Sequence, residues 1–233
     1  MRRAEFGSGE CYHVYNRGVE KREVFTTPAD YARFLYHLVA CNNRRPLLNS
    51  QYYYRGLTSI ERVVTERGRE PLVDLLCFCF MPNHFHLLLR QRIDEGIPLF
   101  MQKVGTAYTM YFNAKYQRSG GLFQGTYKSI HVASDQYLLP VSRYVHLNPL
   151  DLLQPGWKEC GLRSPHRAQT FVREYRWSSY ADFCGDLRYP SALNQRHLRE
   201  TFGPPKAYRA YVEDWNRRAL SRISHLTIEP HKL

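Results

Sequence analysis

No apolar run in this 233-residue chain approaches the roughly 18 consecutive residues that a membrane-spanning helix needs. The first ten residues, MRRAEFGSGE, carry charge but no apolar core, so no secretory signal is expected. The six cysteines, Cys11, Cys41, Cys77, Cys79, Cys160 and Cys184, form no C-x-x-C pair and no zinc-cluster spacing. Cys77 and Cys79 alternate within an apolar run and read as small buried hydrophobes, which points to a reduced, cytosolic setting. There is no GxxxxGK[ST] loop, so no ATP site is expected. Internal repeats and low-complexity tracts are absent too. Acidic residues are scarce: 21 Asp and Glu against 33 Lys and Arg, a formal charge of +12.

What is present points toward a polyanion. A basic excess favours a phosphate backbone through counterion release. Aromatics make up 14% of the chain, including 18 tyrosines; flat rings beside basic heads suit unstacked bases better than a lipid surface. With 43% hydrophobic residues the chain is not compositionally disordered, and its length fits one large domain or a core with an appendage.

Hydrophobic periodicity gives an order of elements. Cys11–Tyr15 is a short strand running into the turn signal Asn16-Arg17-Gly18. Thr27 caps and Pro28 opens a helix whose apolar positions, Tyr31, Phe34, Leu35, Leu38 and Val39, recur to about residue 41. Residues 42–70 form a polar excursion carrying Tyr52-Tyr53-Tyr54-Arg55. Strands over 73–80 and 84–91 make a hairpin around Met81-Pro82-Asn83. A second helix opens at Pro98, a Gly-rich loop covers 118–125, and a last strand covers 127–132. A third helix, capped by Ser134 and Asp135, ends near Asn148-Pro149. The order β-α-β-β-α-β plus a helix predicts an α+β fold: a ferredoxin-like, split βαβ antiparallel sheet with one face left for a site. Residues 1–150 are expected to form this domain. Residues 151–233 are expected to be an extension on the core or against DNA, with a helix over about 206–219.

Two stretches carry chemistry. In Pro82-Asn83-His84-Phe85-His86-Leu87 the alternation of a strand puts His84 and His86 on one face and Phe85 on the other. Two imidazoles so spaced reach one divalent ion, or else are core histidines satisfied by hydrogen bonds. In Tyr144-Val145-His146-Leu147-Asn148-Pro149, Tyr144 and Asn148 stand one helical turn apart on one face. Asn148 could add an amide oxygen to the histidine pair and Tyr144 a hydroxyl beside the metal, a nucleophile once a cation counters its high pKa. The plain alternative for Tyr144 is packing.

Four pieces in order resemble a known family. They are Tyr12-His13-Val14-Tyr15-Asn16-Arg17-Gly18; Met81-Pro82-Asn83-His84-Phe85-His86-Leu87-Leu88-Leu89; Tyr111-Phe112-Asn113 with Gly121-Leu122-Phe123-Gln124-Gly125-Thr126-Tyr127-Lys128; and Ser142-Arg143-Tyr144-Val145-His146-Leu147-Asn148-Pro149. Over about residues 10–150 the chain is similar to the HUH single-tyrosine transposases, and among them to the REP-associated tyrosine transposases of bacteria; Trp177-Ser178-Ser179-Tyr180 looks like a further family piece. The resemblance implies His84 and His86 as the metal-holding pair, Asn148 as the supporting amide and Tyr144 as the nucleophile. It also implies one Mg2+ or Mn2+, single-stranded DNA with hairpin-forming palindromes as substrate, a 5′-phosphotyrosine and a released 3′-hydroxyl. Phosphate contacts are then expected from Arg17, Arg118, Lys128 and Arg143, and base contacts from Asn16 and Gln124. His13 and His131 are expected to be structural, and His146 carries no assigned chemistry.

Two features depart from the family. Pro140 lies inside the third helix, where it removes a backbone bond and can kink the chain. The 42–70 excursion is long. Two rival readings stand beside the enzyme: a DNA-hairpin binder without nicking, and a metallohydrolase joining H-x-H to Asp74, Asp94 or Glu95. Whether the chain is a monomer or a homodimer is open at this point.

Overall fold

The computed structural model describes residues 6–45 and 68–214. The Tyr52-Tyr53-Tyr54-Arg55 cluster and the last part of the expected C-terminal helix lie outside them. Four antiparallel strands form one sheet in the order β2-β3-β1-β4: β1 (Cys11–Arg17), β2 (Val73–Met81), β3 (His84–Gln91) and β4 (Lys128–Val132). Helices α1 (Pro28–Ala40), α2 (Gly96–Lys115) and α3 (Asp135–Leu147) complete the ferredoxin-like arrangement.

Alternation along the strands sorts the two faces. Phe78, Phe80 and Phe85 turn toward α1 and α2. Phe34 of α1 is the centre of that layer, with ring centroids of Phe25, Phe80, Phe85 and Tyr108 at 4.9–5.2 Å. Three of these pairs, with Phe25, Phe80 and Tyr108, are edge-to-face, which adds to the burial of the rings themselves. Asp30 ties the two helices together. Its fully buried carboxylate accepts from Lys115 Nζ at 2.6 Å, Tyr116 Oη at 2.7 Å and Tyr111 Oη at 2.9 Å. It also accepts from the Thr26 and Thr27 N–H groups at the entry to α1.

β1 runs two residues past its expected end, because Asn16 and Arg17 pair with Phe85 and His84. The turn follows instead at Gly18–Lys21, where Glu20 and Lys21 take left-handed backbone angles. Gly18 is required there by close approach: a Cβ on it would lie 2.2 Å from the carbonyl oxygen of Arg22. Gly18→Ala is expected to destabilise the protein by about 1–3 kcal/mol, the usual cost of forced overpacking, read as a lower denaturant midpoint with an unchanged slope. α2 begins at Gly96, two residues before Pro98. α3 continues through Pro140 as one helix, and the Ser142 hydroxyl donates to Leu139 O at 2.8 Å beside it.

Residues 150–212 pack against α3 and along the β2 edge as α4 (Leu150–Leu153), α5 (Trp157–Cys160), α6 (Pro165–Glu174), α7 (Tyr180–Phe183), α8 (Gln195–Phe202) and α9 (Pro205–Val212). Their buried residues, among them Ala168, Val172, Tyr180, Tyr208 and Val212, belong to the same core as the strands. Between α6 and α7 the chain lies along the edge of β2. Phe80 N donates to Trp177 O at 2.9 Å, and Ser179 N donates to Phe78 O at 3.0 Å. The edge that β2 would otherwise present is thereby covered, and Trp177 stacks on Tyr31 at 4.7 Å.

His146 fastens α3 to this layer. Its Nδ1 lies 2.7 Å from Tyr208 Oη and its Nε2 lies 2.9 Å from Ser179 Oγ. Tyr208 in turn donates to Ser142 Oγ. The directions fit one neutral tautomer, with Nδ1 donating and Nε2 accepting. Burial holds the ring neutral, pushing it down to about 3.

Candidate active site

The residues of the two motif stretches meet on the face of the sheet opposite α1 and α2. Strand pairing sets them in rows. Cys79, His86, Tyr15 and Lys128 follow one another across the four strands, and Met81, His84 and Arg17 form the next row. Residues directly opposite share a face, so Arg17 and Lys128 flank the imidazoles.

His84 and His86 have ring centroids 5.0 Å apart at 89°. His84 Nδ1 is 2.6 Å from Asn83 Oδ1, which fixes that ring from the hairpin tip. His13, on β1, stacks on His86 at 5.1 Å, with His13 Nε2 2.9 Å from His86 Nδ1. A single proton occupies that contact, and its partner nitrogen accepts.

α3 crosses above. The Tyr144 ring stands edge-on to His86 at 5.5 Å and to His13 at 5.8 Å, and is 7% exposed. Asn148, one turn on, donates through Nδ2 to Tyr144 O at 2.8 Å, and its amide stands beside His86. Tyr15 lies at 5.9 Å from His86. Burial, and then the nearby Tyr144, pushes its hydroxyl up to about 12. Burial also holds His86 well below the ordinary histidine value, reinforced by His84, His13 and Lys158. A neutral imidazole is the form that ligates metal.

By its chemistry the donor set fits a divalent ion: two imidazoles at right angles and, beside one of them, an amide. Among the described residues no group of three His, Cys, Asp or Glu side chains could hold a metal, so the amide is essential to this reading. The metallohydrolase alternative loses its acids. Asp74 pairs in register with Arg90, six residues from His84 and so about 20 Å away along the strand; it is held by Arg92 at 2.9 Å and Asn194 at 3.1 Å. Asp94 accepts from Ser8, and Glu95 sits at the start of α2 at the same far end.

Of the expected DNA contacts, Asn16, Arg17 and Gln124 are brought together beside the site. Arg17 Nε donates to Gln124 Oε1, Gln124 N to Arg17 O, and Asn16 Nδ2 to Gly125 O. Lys128 is exposed. Arg118 braces the Gly-rich loop through Asn113 Oδ1 at 2.6 Å and Gly121 O at 3.2 Å. Arg143 is a correction: it is fully buried, with its guanidinium 5.2 Å from the Tyr211 ring of α9, and so presents no donor to DNA in this arrangement. One group that the sequence reading missed also stands here. Lys158 of α5 places its ammonium 5.2 Å from the centroid of the Tyr144 ring.

An antiparallel four-stranded sheet with α1 and α2 on one face, and imidazoles, a phenol and an amide gathered under α3 on the other, defines the class as α+β. A family model described as "Transposase IS200 like" matches residues 30–148, just over half of the chain, and the chain belongs to that family. Among solved structures it is similar to a REP-associated tyrosine transposase bound to a REP hairpin. The TM-score is 0.53 at 11% identity, over 82% of this chain and 89% of the other, a likeness of fold. A comparison with curated proteins gives no match. Among the described residues no helix is long and apolar enough to cross a membrane.

Proposed function

We propose that the chain cuts and rejoins single-stranded DNA next to hairpins, with Tyr144 as nucleophile. The observation that carries this reading is the placing of the Tyr144 ring against His86, with Asn148 beside both. Family membership and a hairpin-bound structural neighbour support it.

DNA lies along the face marked by Arg17, Gln124 and Lys128, single-stranded where the scissile phosphate bends into the site. Tyr144 Oη forms a bond to phosphorus and the bond to the 3′-oxygen breaks. The phenolic proton passes to solvent and the leaving oxygen takes up a proton, ending as a 3′-hydroxyl. The 5′-phosphotyrosine keeps the bond energy, so a later 3′-hydroxyl reverses the step and joins strands. His84, His86 and Asn148 would hold one Mg2+ or Mn2+, which supplies Lewis-acid polarisation of the phosphate when bound. His13 orients His86 from behind, and α3 keeps Tyr144 and Asn148 in fixed relation.

The test is a labelled DNA hairpin with randomised single-stranded flanks, incubated with Mn2+ and resolved on a denaturing gel. A covalent protein–DNA band present in the wild type and missing in Tyr144→Phe is the expected result. Binding with no band under Mg2+ or Mn2+ selects the hairpin-binding reading instead, which the burial of Tyr144 favours. Metal holding has its own check. Asn148→Ala is expected to weaken Mn2+ binding, measured calorimetrically without DNA, by about 10- to 100-fold; an unchanged affinity removes Asn148 from the ligand set.

A further inference from the structure

Among the described residues, the side chains nearest Tyr144 include no carboxylate, and Lys158 is the one among them with a permanent charge. The others are the imidazoles of His86 and His13, which stand edge-on to its ring, and the amide of Asn148, with the phenol of Tyr15 beside His86. A phosphodiester brings a full negative charge into this pocket, and more charge spreads over its oxygens as the bonds exchange. A fixed positive group aimed at that point, beside the metal that His84, His86 and Asn148 would hold, stabilises the added charge.

Lys158 supplies such a group from outside the segment that the family model covers. Gly156, in a left-handed conformation, turns the chain into α5. Trp157, 3% exposed, roots that short helix in the core. The next residue is thus aimed back over α3. Its Nζ is 5.2 Å from the Tyr144 ring centroid and 3.6 Å from Asp151 Oδ2 on α4. The Lys158 side chain is 24% exposed, open to an incoming strand yet already ordered. Cation over ring, carboxylate behind and solvent in front together hold the ammonium at the mouth of the site.

We propose that Lys158 is a further catalytic residue, its ammonium contacting the scissile phosphate as Tyr144 attacks, so that residues 151–160 add a cation on the Tyr144 side of a site whose other charges, Arg17, Lys128 and a bound metal, stand along the sheet. This rests on the strand-cleaving reading above. The bland alternative is a surface ion pair with Asp151 that merely packs on Tyr144.

The experiment uses the full chain, Mn2+ and the oligonucleotide sequence recovered from the wild-type adduct. Lys158→Met is expected to slow adduct formation by about 100-fold, the scale of losing one preorganised charge stabiliser, while Lys158→Arg keeps most of the rate. Mn2+ affinity without DNA is expected to hold or rise in Lys158→Met, because a like charge near His86 is gone. The deciding arm replaces the scissile phosphate with a neutral methylphosphonate, on which wild type and Lys158→Met are expected to react at equal rates. Lys158→Met within twofold of wild type on the phosphate overturns the proposal. So does an equal defect on the methylphosphonate, which marks a packing role. If the wild type itself forms no adduct, the strand-cleaving reading falls and takes this inference with it, an outcome distinct from the other two.

Discussion

Tyr144→Phe is expected to lower DNA cleavage and adduct formation by at least about 10³-fold, as loss of a nucleophile does when the rest of a site survives. The fold is expected to survive. Phenylalanine keeps the ring that packs against His86 and His13 and under Lys158. Only one hydroxyl is lost, a change of roughly 0.5–1.5 kcal/mol. Hairpin affinity measured by anisotropy is therefore expected to stay near the wild-type value while the covalent band disappears. A variant that still forms the band would place the nucleophile elsewhere and undo the assignment.

The largest stability effect is expected at Asp30. Asp30→Ala leaves the Lys115 ammonium and the Tyr111 and Tyr116 hydroxyls without their shared acceptor, and frees two N–H groups at the start of α1. Breaking a buried charge pair by removing one partner costs about 3–5 kcal/mol. For a chain of this size that is a fall of roughly 10 °C in melting temperature. The contribution also has a pH signature. Burial by itself would raise the Asp30 carboxyl, but hydrogen bonds from Lys115, Tyr116, Thr27 and Tyr111 outweigh it and hold the group below its ordinary value. A depressed carboxylate stabilises fully above the unfolded value, about 3.9, and that stability is lost as pH falls through the folded value. Wild type and Asp30→Ala should therefore differ most near neutrality and converge in strong acid. A constant gap across that range in thermal melts would refute the linkage.

The sheet and its three main helices were legible because each has a long periodic signal: Phe34 and its helical neighbours, the two-residue hairpin at Pro82-Asn83, the alternation about His84 and His86. The site was legible for the same reason, since period two and period 3.6 each put two of its residues on one face. Residues 150–212 were not. Four-residue helices such as those at Leu150 and Trp157 are too short to show a period, and the pairing of Ser178 with Cys79 joins positions a hundred residues apart that no local pattern links. Arg143 failed for a related reason: a basic residue beside a catalytic motif reads as a phosphate contact until a distant aromatic, Tyr211, is found covering it. Lys158 is the converse, a charge with no motif around it that gains meaning only from what it overhangs.

The clamp on His146 has a consequence during synthesis. Ser179 and Tyr208, which grip that ring, are made 35 and 64 residues after Tyr144. At about 5–20 residues per second, a growing polypeptide passes several seconds with its phenol-bearing helix lacking those anchors. A half-translated product thus has α3 without the two side chains, Ser179 and Tyr208, that hold His146 in place.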